Sequence, residues 1–306
     1  MPESDLSGRA VLVTGANGFI GAHLTAALLQ AGADVHAMVR AGSSMDRLDR
    51  LQTAPRIVGV DLTDHAATRD AVHRIRPEFV FHLAVSRQTG DWDRLLAVNV
   101  AGAMNLLRAS GEIDCRRFVS LGSALERIDP ATGTAANDYG ASRAAAGILL
   151  RQHAREHRIP LACLRTDYVY GPLQGEGKLI PTALRHAARG SAMPLAPSTA
   201  RRDYVHVSDV VSACRHAAQA HQPDQFSAEI ATGRLWSVAE VIALVAELTG
   251  ADLRTEPGSA PARAWDTHRG QPDTETASPL PGWSATMDLR AGLLDLISHD
   301  RSGREG

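Results

Sequence analysis

The 306-residue chain is 44% hydrophobic, 22% charged and only 4% aromatic, a profile that excludes disordered and fibrous classes and leaves room for a sizeable core. Its 32 basic residues against 34 acidic ones give a formal net charge of −2, so no global positive field recruits nucleic acid or an anionic membrane, and any anion site must be local. Cys115, Cys163 and Cys214 are odd in number and widely spaced, which argues against a disulfide framework and for a reducing cytoplasm. Met1-Pro2-Glu3-Ser4-Asp5 lacks the basic and apolar regions of a signal peptide, and no run approaches the ~18 apolar residues of a membrane span, so neither secretion nor insertion is expected.

Short β-branched runs alternate with helical segments. Ala10–Val13 reads as a strand, Ile20–Gln30 as a helix, and Val35–Val39 and Arg56–Val60 as further strands. The rhythm continues through Phe79–Phe81, a helix near Asp91–Ser110, Arg117–Ser120, a helix near Tyr139–Glu156 and Leu161–Leu164. Such alternation predicts an α/β fold with a parallel sheet covered on both faces. After Tyr170-Gly171-Pro172 the spacing becomes irregular: a helix near Ile180–Arg189, a loop with Pro194 and Pro197, a strand at Tyr204–Val207, and helices at Val210–Ala220 and Val238–Leu248. Glu256–Pro281 is rich in Pro, Gly, Ser and Thr and reads as loop. We therefore expect a Rossmann-type doubly wound domain over residues 1–171 plus about 204–233, a smaller C-terminal substrate-binding domain over 172–203 and 234–300, and a flexible tail at 301–306.

Gly15-Ala16-Asn17-Gly18-Phe19-Ile20-Gly21 follows the first strand and opens the first helix, where a dinucleotide pyrophosphate meets backbone N–H groups and the positive helix end. The end of the second strand, where an acidic residue would bond the ribose 2′-hydroxyl of NAD, holds Arg40. Asp34 precedes that strand and belongs at the opposite edge of the sheet. Arg40 with Ser43 and Ser44 offers a cation and hydroxyls to a 2′-phosphate, so the expected cofactor is NADP(H).

With these residues in place the chain resembles, nearly end to end, the extended short-chain dehydrogenase/reductase family, whose members act mostly on nucleotide-diphospho-sugars. The resemblance is carried by the glycine loop, Asp61-Leu62, His82-Leu83-Ala84, Asn99-Val100, Gly122-Ser123-Ala124 and Tyr139-Gly140-Ala141-Ser142-Arg143. Leu164-Arg165, Tyr170-Gly171-Pro172, Arg202-Asp203-Tyr204-Val205-His206-Val207-Ser208-Asp209 and Gly282-Trp283 extend it. It implies that Asp61, Leu62, Leu83, Ala84, Asn99, Tyr168 and Val169 join the glycine loop in holding the cofactor. It also implies that Tyr139 exchanges a proton with the substrate oxygen while Ser123 bonds that oxygen. A carbonyl gaining hydride develops alkoxide charge, which a placed donor stabilises and a general acid neutralises. The family carries a lysine four residues after the tyrosine, one turn on, to lower the phenol pKa. Here Arg143 stands there, keeping the charge on a bulkier planar fork that can still donate to the cofactor's ribose hydroxyls.

The family's 4,6-dehydratases carry an acidic pair beside the catalytic hydroxyl; here those neighbours are Ala124 and Leu125. Glu126 comes one place late, and a one-residue step along a strand points a side chain to the other face, so dehydration is not expected. Leu121-Gly122-Ser123-Ala124-Leu125-Glu126 looks closer to the G-S-x-x-E stretch of nucleotide-sugar 4-ketoreductases, although Arg127-Ile128 replace the usual Tyr-Gly. Ser123 and Tyr139 are 139 − 123 = 16 positions apart, a short loop for the family. The leading expectation is NADPH-dependent reduction of the C4 ketone of an NDP-4-keto-6-deoxyhexose. The rivals are an NDP-sugar 4-epimerase and a non-catalytic NADPH-sensing protein.

For the sugar diphosphate, the resemblance implies Arg202 as a phosphate-binding cation and the pair Arg263 with Asp266 for phosphate and ribose. It further implies that Lys178 and Leu179 line the nucleotide, with Ser86, Arg87, Ser123 and Tyr168 beside the sugar. His153 and His157 stand four apart on a predicted helix but lack the H-E-x-x-H order and an apparent third ligand, so no metal is expected. His82 and His206 read as core hydrogen-bonding residues. Leu95, Val98, Leu106, Ala144, Ile148 and Leu149 form apolar faces read chiefly as core, on helices that in this family also build a homodimer through a four-helix bundle.

Overall fold

The computed structural model describes residues 6–113, 115–196, 200–219, 222–259 and 279–302. Residues Met1–Arg165, Val211–Glu229 and Ser278–Trp283 form one compact unit, and Thr166–Val210, Ile230–Ala277 and Ser284–Gly306 another. The first half of the chain runs β1 (Ala10–Thr14), α1 (Phe19–Gln30), β2 (Asp34–Val39), β3 (Arg56–Gly59), α2 (His65–Ile75), β4 (Phe79–His82), α3 (Trp92–Leu95), a π-helical stretch Leu96–Gly102, and α4 (Ala103–Gly111). Next come β5 (Arg117–Ser123), a 3-10 turn Ala124–Glu126, β6 (Ile128–Asp129), β7 (Thr134–Ala135), α5 (Asp138–His157), β8 (Leu161–Thr166) and β9 (Tyr168–Tyr170). The remainder comprises α6 (Leu179–Arg189), β10 (Met193–Leu195), β11 (Arg201–His206), α7 (Val207–Ala217), β12 (Gln225–Ile230), β13 (Leu235–Ser237), α8 (Val238–Thr249), β14 (Thr255–Pro257) and α9 (Leu289–Ser302).

In the first unit a seven-stranded sheet runs in the order β12-β8-β5-β4-β1-β2-β3, with β3, β2, β1, β4 and β5 paired in parallel. The expected doubly wound α/β fold is thus present. Chain order reverses at β1, and in such sheets ligands bind beyond the strands' carboxyl ends at that point. Register fixes what stands there: Met38 pairs with Thr14, Thr14 with His82, and His82 with Ser120, a row one residue short of the loops carrying Gly15 and Leu83. β1 and β4 are buried along nearly their whole length because helices cover the sheet, which is why Val11–Val13 and Phe79–Phe81 read as unbroken apolar runs. Leu12, Val80, Leu106, Leu107, Phe118, Leu150 and Leu161 belong to the core between sheet and helices.

The second unit has its own core, in which Tyr170, Ile180, Leu184, Tyr204, Val241, Val245, Leu293 and Leu296 pack together. Tyr168–Tyr170 and Tyr204–Val210, expected with the first domain, belong here, because β9 pairs with β11 in a three-stranded sheet with β13. The predicted continuous helix near Asp91–Ser110 is broken by the π-helical stretch Leu96–Gly102. Ile148 and Leu149, read as core, are 58% and 45% exposed, whereas Leu95 and Leu106 are buried as expected. Among the described residues no helix is long and apolar enough to cross a membrane.

Candidate active site

The glycine loop is shaped by close approach. Gly15 has φ +66°, and a Cβ there would stand 2.7 Å from the Ala84 backbone nitrogen. A Cβ on Gly21 would collide with the Gly15 carbonyl oxygen, so α1 starts against the loop itself. Gly18 caps α1 without a side-chain hydrogen bond, so side chains leave the first N–H groups of the helix unclaimed. Such a helix start suits a pyrophosphate, and these residues fit a bound dinucleotide. Asn17 Nδ2 donates to the Ser44 carbonyl at 2.9 Å, and Arg47 reaches the Asn17 carbonyl at 3.4 Å. The segment after β2 is thereby tied to the glycine loop, and Arg40 and Ser44 are exposed on it with Ser43 half-buried. Asp34 sits opposite Ala10 at the far end of β2, where the Arg56 guanidinium first, then His36, holds its carboxyl below the usual range. Asp61 accepts from the Thr63 N–H at 3.0 Å and its hydroxyl at 2.8 Å, which lower its pKa, with Arg94 and Arg40 adding charge.

Around β4, buried Asn99 in the π-helical stretch accepts from the Ser86 N–H at 2.7 Å and donates to the Ser86 carbonyl and the Ser142 hydroxyl, each at 3.0 Å. Ser142 in turn donates to the Tyr139 carbonyl at 2.8 Å. This chain fixes the loop after β4 to the first turn of α5. The π geometry carries Asn99 inward where a continuous α-helix would rotate it. Arg87 is exposed beside Ser86.

Tyr139 lies in the first turn of α5, 8% exposed. That turn is set by Asn137, whose side chain accepts from the Gly140 N–H at 2.8 Å. A Cβ on Gly140 would overlap the Leu125 carbonyl, so the 3-10 turn carrying Ser123 as its cap packs directly on α5. The Ser123 hydroxyl accepts from the Leu125 N–H at 3.3 Å, a bond that uses a lone pair and leaves its proton to donate. Glu126 folds back and accepts from the Ser123 N–H at 2.9 Å, completing a capping box. The strand-parity reasoning applied to Glu126 therefore fails: residues 124–126 form a turn, and the carboxylate returns toward Ser123.

That carboxylate also pairs with Arg143, Nε to Oε1 at 3.2 Å, the two side chains 3% and 10% exposed. Arg143 Nη2 donates to the Leu121 carbonyl at 2.8 Å, and Nη1 is buried with no hydrogen-bond partner among the described residues. The guanidinium expected to act on Tyr139 and the ribose is thus braced by an anion and a β5 carbonyl. The Ser-x-x-Glu spacing of residues 123–126 is the sequence signal for this role of Glu126, which strand parity conceals. A second missed acid is Glu229 on β12, 7% exposed between Arg127 at 2.9 Å and Arg165 at 2.8 Å.

His82, under the same sheet end, is fully buried and shares a 2.8 Å hydrogen bond between Nδ1 and the Thr14 hydroxyl. Burial, and secondarily the Arg143 charge, push its pKa from 6.5 down to about 3. As pH falls below the ordinary imidazole value, the unfolded chain binds a proton that the folded chain refuses, so stability is lost from about pH 6.5 downward. Between pH 7 and pH 5 the parent is expected to lose roughly 2 kcal/mol more than a His82→Asn variant, measured by urea unfolding. Equal losses would mean that His82 titrates alike in both states.

In the second unit, Arg202 is 6% exposed, with its guanidinium 5.1 Å from the centroid of the Tyr168 ring. The β9–β11 pairing brings these two predicted substrate residues together. Val169 continues β9, while exposed Lys178 caps α6 and Leu179 begins it. Asp203 accepts from the Thr232 and Gly233 N–H groups, and Asp209 from those of Thr286 and Met287, so both acids of the Arg202–Asp209 stretch secure loops. His206 shares a 2.7 Å hydrogen bond with Ser208. Arg263 and Asp266 lie outside the described residues.

Among known proteins, UDP-glucose 4-epimerase of Mycolicibacterium smegmatis is 29% identical over 315 residues, spanning 95% of this chain and 98% of that protein. A dTDP-4-dehydro-6-deoxy-D-allose reductase of Streptomyces bikiniensis is 26% identical over 298 residues, covering 86% and 90%. The crystal structure of Thermotoga maritima UDP-glucose 4-epimerase with UDP-glucose superposes with a TM-score of 0.85 at 27% identity, covering 96% of this chain and 99% of that one. The model of the NAD dependent epimerase/dehydratase family matches residues 11–228, and the chain belongs to that family.

Proposed function

We propose that the protein is an NADP(H)-dependent 4-ketoreductase of an NDP-4-keto-6-deoxyhexose. The observation that carries the choice of cofactor is the exposed Arg40 on a segment hydrogen-bonded through Ser44 to the glycine loop, with Asp34 held by Arg56 at the far end of β2. An arginine in that place suits a 2′-phosphate, and no described acid stands at the end of β2 to bond a 2′-hydroxyl. A net reductase must exchange a cofactor that is supplied reduced, which an NADP(H) preference serves. The similarity to a dTDP-4-keto-sugar reductase supports the same class of reaction.

When bound, the dinucleotide supplies hydride to the sugar carbon. Tyr139 holds the proton that the substrate oxygen takes up, Ser123 donates a hydrogen bond to that oxygen, and Arg143 presents a cation fixed by Glu126 and the Leu121 carbonyl. Arg202, stacked on Tyr168, is the cation for the diphosphate. Exposed Trp92, Leu96, Ile148 and Leu149 support pairing with a second copy through the helices that carry them.

The test mixes protein, NADPH and enzymatically made NDP-4-keto-6-deoxyhexoses and follows the nicotinamide absorbance. Consumption of NADPH with one sugar is expected. Interconversion of NDP-sugars without consumption of added NADPH would replace the reading with a 4-epimerase, and tight NADPH binding without turnover of any sugar would replace it with a cofactor sensor. Arg40→Asp is expected to weaken NADPH by about 1.5–3 kcal/mol, roughly 10- to 150-fold, while sparing NADH. An unchanged preference in calorimetry would move the 2′-phosphate contact elsewhere.

A further inference from the structure

We propose that His153, Glu156 and His157, in the last turns of α5, form a binding site for a divalent transition-metal ion of the Zn2+ class. The sequence reading set the two histidines aside for want of a third ligand, and the fold supplies one. One ring nitrogen from each histidine and a Glu156 carboxylate oxygen all lie within 4.8 Å of one another. The two rings stand 4.1 Å apart between centroids, one helical turn along the same face. A tetrahedral ion with bonds of about 2.0–2.2 Å needs donors about 3.4 Å apart, a separation that small side-chain rotations provide, and water completes the fourth position.

Two further features favour a cation there. Gln152 Nε2 donates to Glu156 Oε1 at 2.5 Å and so orients the carboxylate. The C-terminal end of α5 also carries the negative end of the helix dipole. Arg155 and Arg158 near that helix end and Arg108 of α4 oppose the added charge, so an ion that forms strong bonds to imidazole is favoured over Mg2+ or Ca2+. The cysteines do not compete: all three are buried, their thiols pushed up to about 12, 11 and 12 for Cys115, Cys163 and Cys214. At 1.5 Å per residue the site lies roughly 20–27 Å along α5 from Tyr139, and it does not depend on the reductase reading.

The experiment titrates the tag-free, chelator-treated full chain with Zn2+ by calorimetry and records thermal unfolding with and without the ion. One saturable equivalent and a raised Tm are expected in the parent. Both are expected to be lost in His157→Ala and in His153→Ala, with affinity weakened in Glu156→Gln. His157 and Glu156 are exposed, so these two variants keep the fold. Absence of saturable binding, or binding unchanged in His157→Ala, would overturn the proposal by placing any ion elsewhere among the 13 histidines. Unchanged affinity in Glu156→Gln would overturn the three-ligand assignment.

Discussion

Glu126→Ala is expected to cost about 3–5 kcal/mol of folding stability, because it strands a guanidinium that is 3% exposed. In the parent that charge is met by the Glu126 carboxylate at 3.2 Å and the Leu121 carbonyl at 2.8 Å. The same substitution removes the acceptor for the Ser123 N–H, so the capping box fails at the same time. Urea unfolding of the single variant and of a Glu126→Leu/Arg143→Met double variant separates the two effects. Replacing both charges by apolar groups of similar volume is expected to recover most of the loss, since a buried pair contributes little beyond its apolar substitute while half a pair is costly. A single variant within about 1 kcal/mol of the parent would mean that the guanidinium finds another anion or water, and that the brace between β5 and α5 is absent in solution.

The fold was legible because its signals are periodic and local. Short, valine-rich apolar runs such as Ala10–Val13, closed by a glycine turn, read as strands covered on both faces, and the glycine spacing of residues 15–21 admits few backbones other than a tight strand-to-helix turn. Elements without periodicity escaped. The edge strand β12, Gln225–Ile230, and the helix α9, Leu289–Ser302, are short or mixed in character, and their packing is decided by tertiary contacts. The candidate residues could be placed on their elements from sequence, but the hydrogen-bond network joining them could not. Tyr139, Ser123 and Arg143 stand on the elements expected, yet sequence hides the partner of Arg143 because Ala124–Glu126 reads as a continuation of β5 and folds as a 3-10 turn. Ser142 and Thr14 were missed for a related reason: a hydroxyl that hydrogen-bonds Asn99 or His82 is indistinguishable in sequence from one that faces water.

That network bears on the proton that the proposed reaction needs. The cation one turn beyond Tyr139 is paired with Glu126, so it presents the field of a dipole, which falls off faster with distance than that of a lone charge. The pair instead gives fixed geometry, since a braced guanidinium needs no reorganisation when charge develops on the substrate oxygen. Under this reading Tyr139→Phe is expected to lower turnover by about 10²–10⁴-fold while leaving NADPH affinity and stability close to those of the parent. Phenylalanine fills the same buried place at the start of α5, and the Ser142 and Asn137 bonds that hold that turn run through backbone atoms the substitution does not touch. Steady-state turnover of the keto-sugar with NADPH, beside a binding titration of NADPH alone, distinguishes loss of the acid from loss of the site. Parent-like turnover in Tyr139→Phe would move the general acid to another group, and weakened NADPH binding would instead make Tyr139 a cofactor-positioning residue.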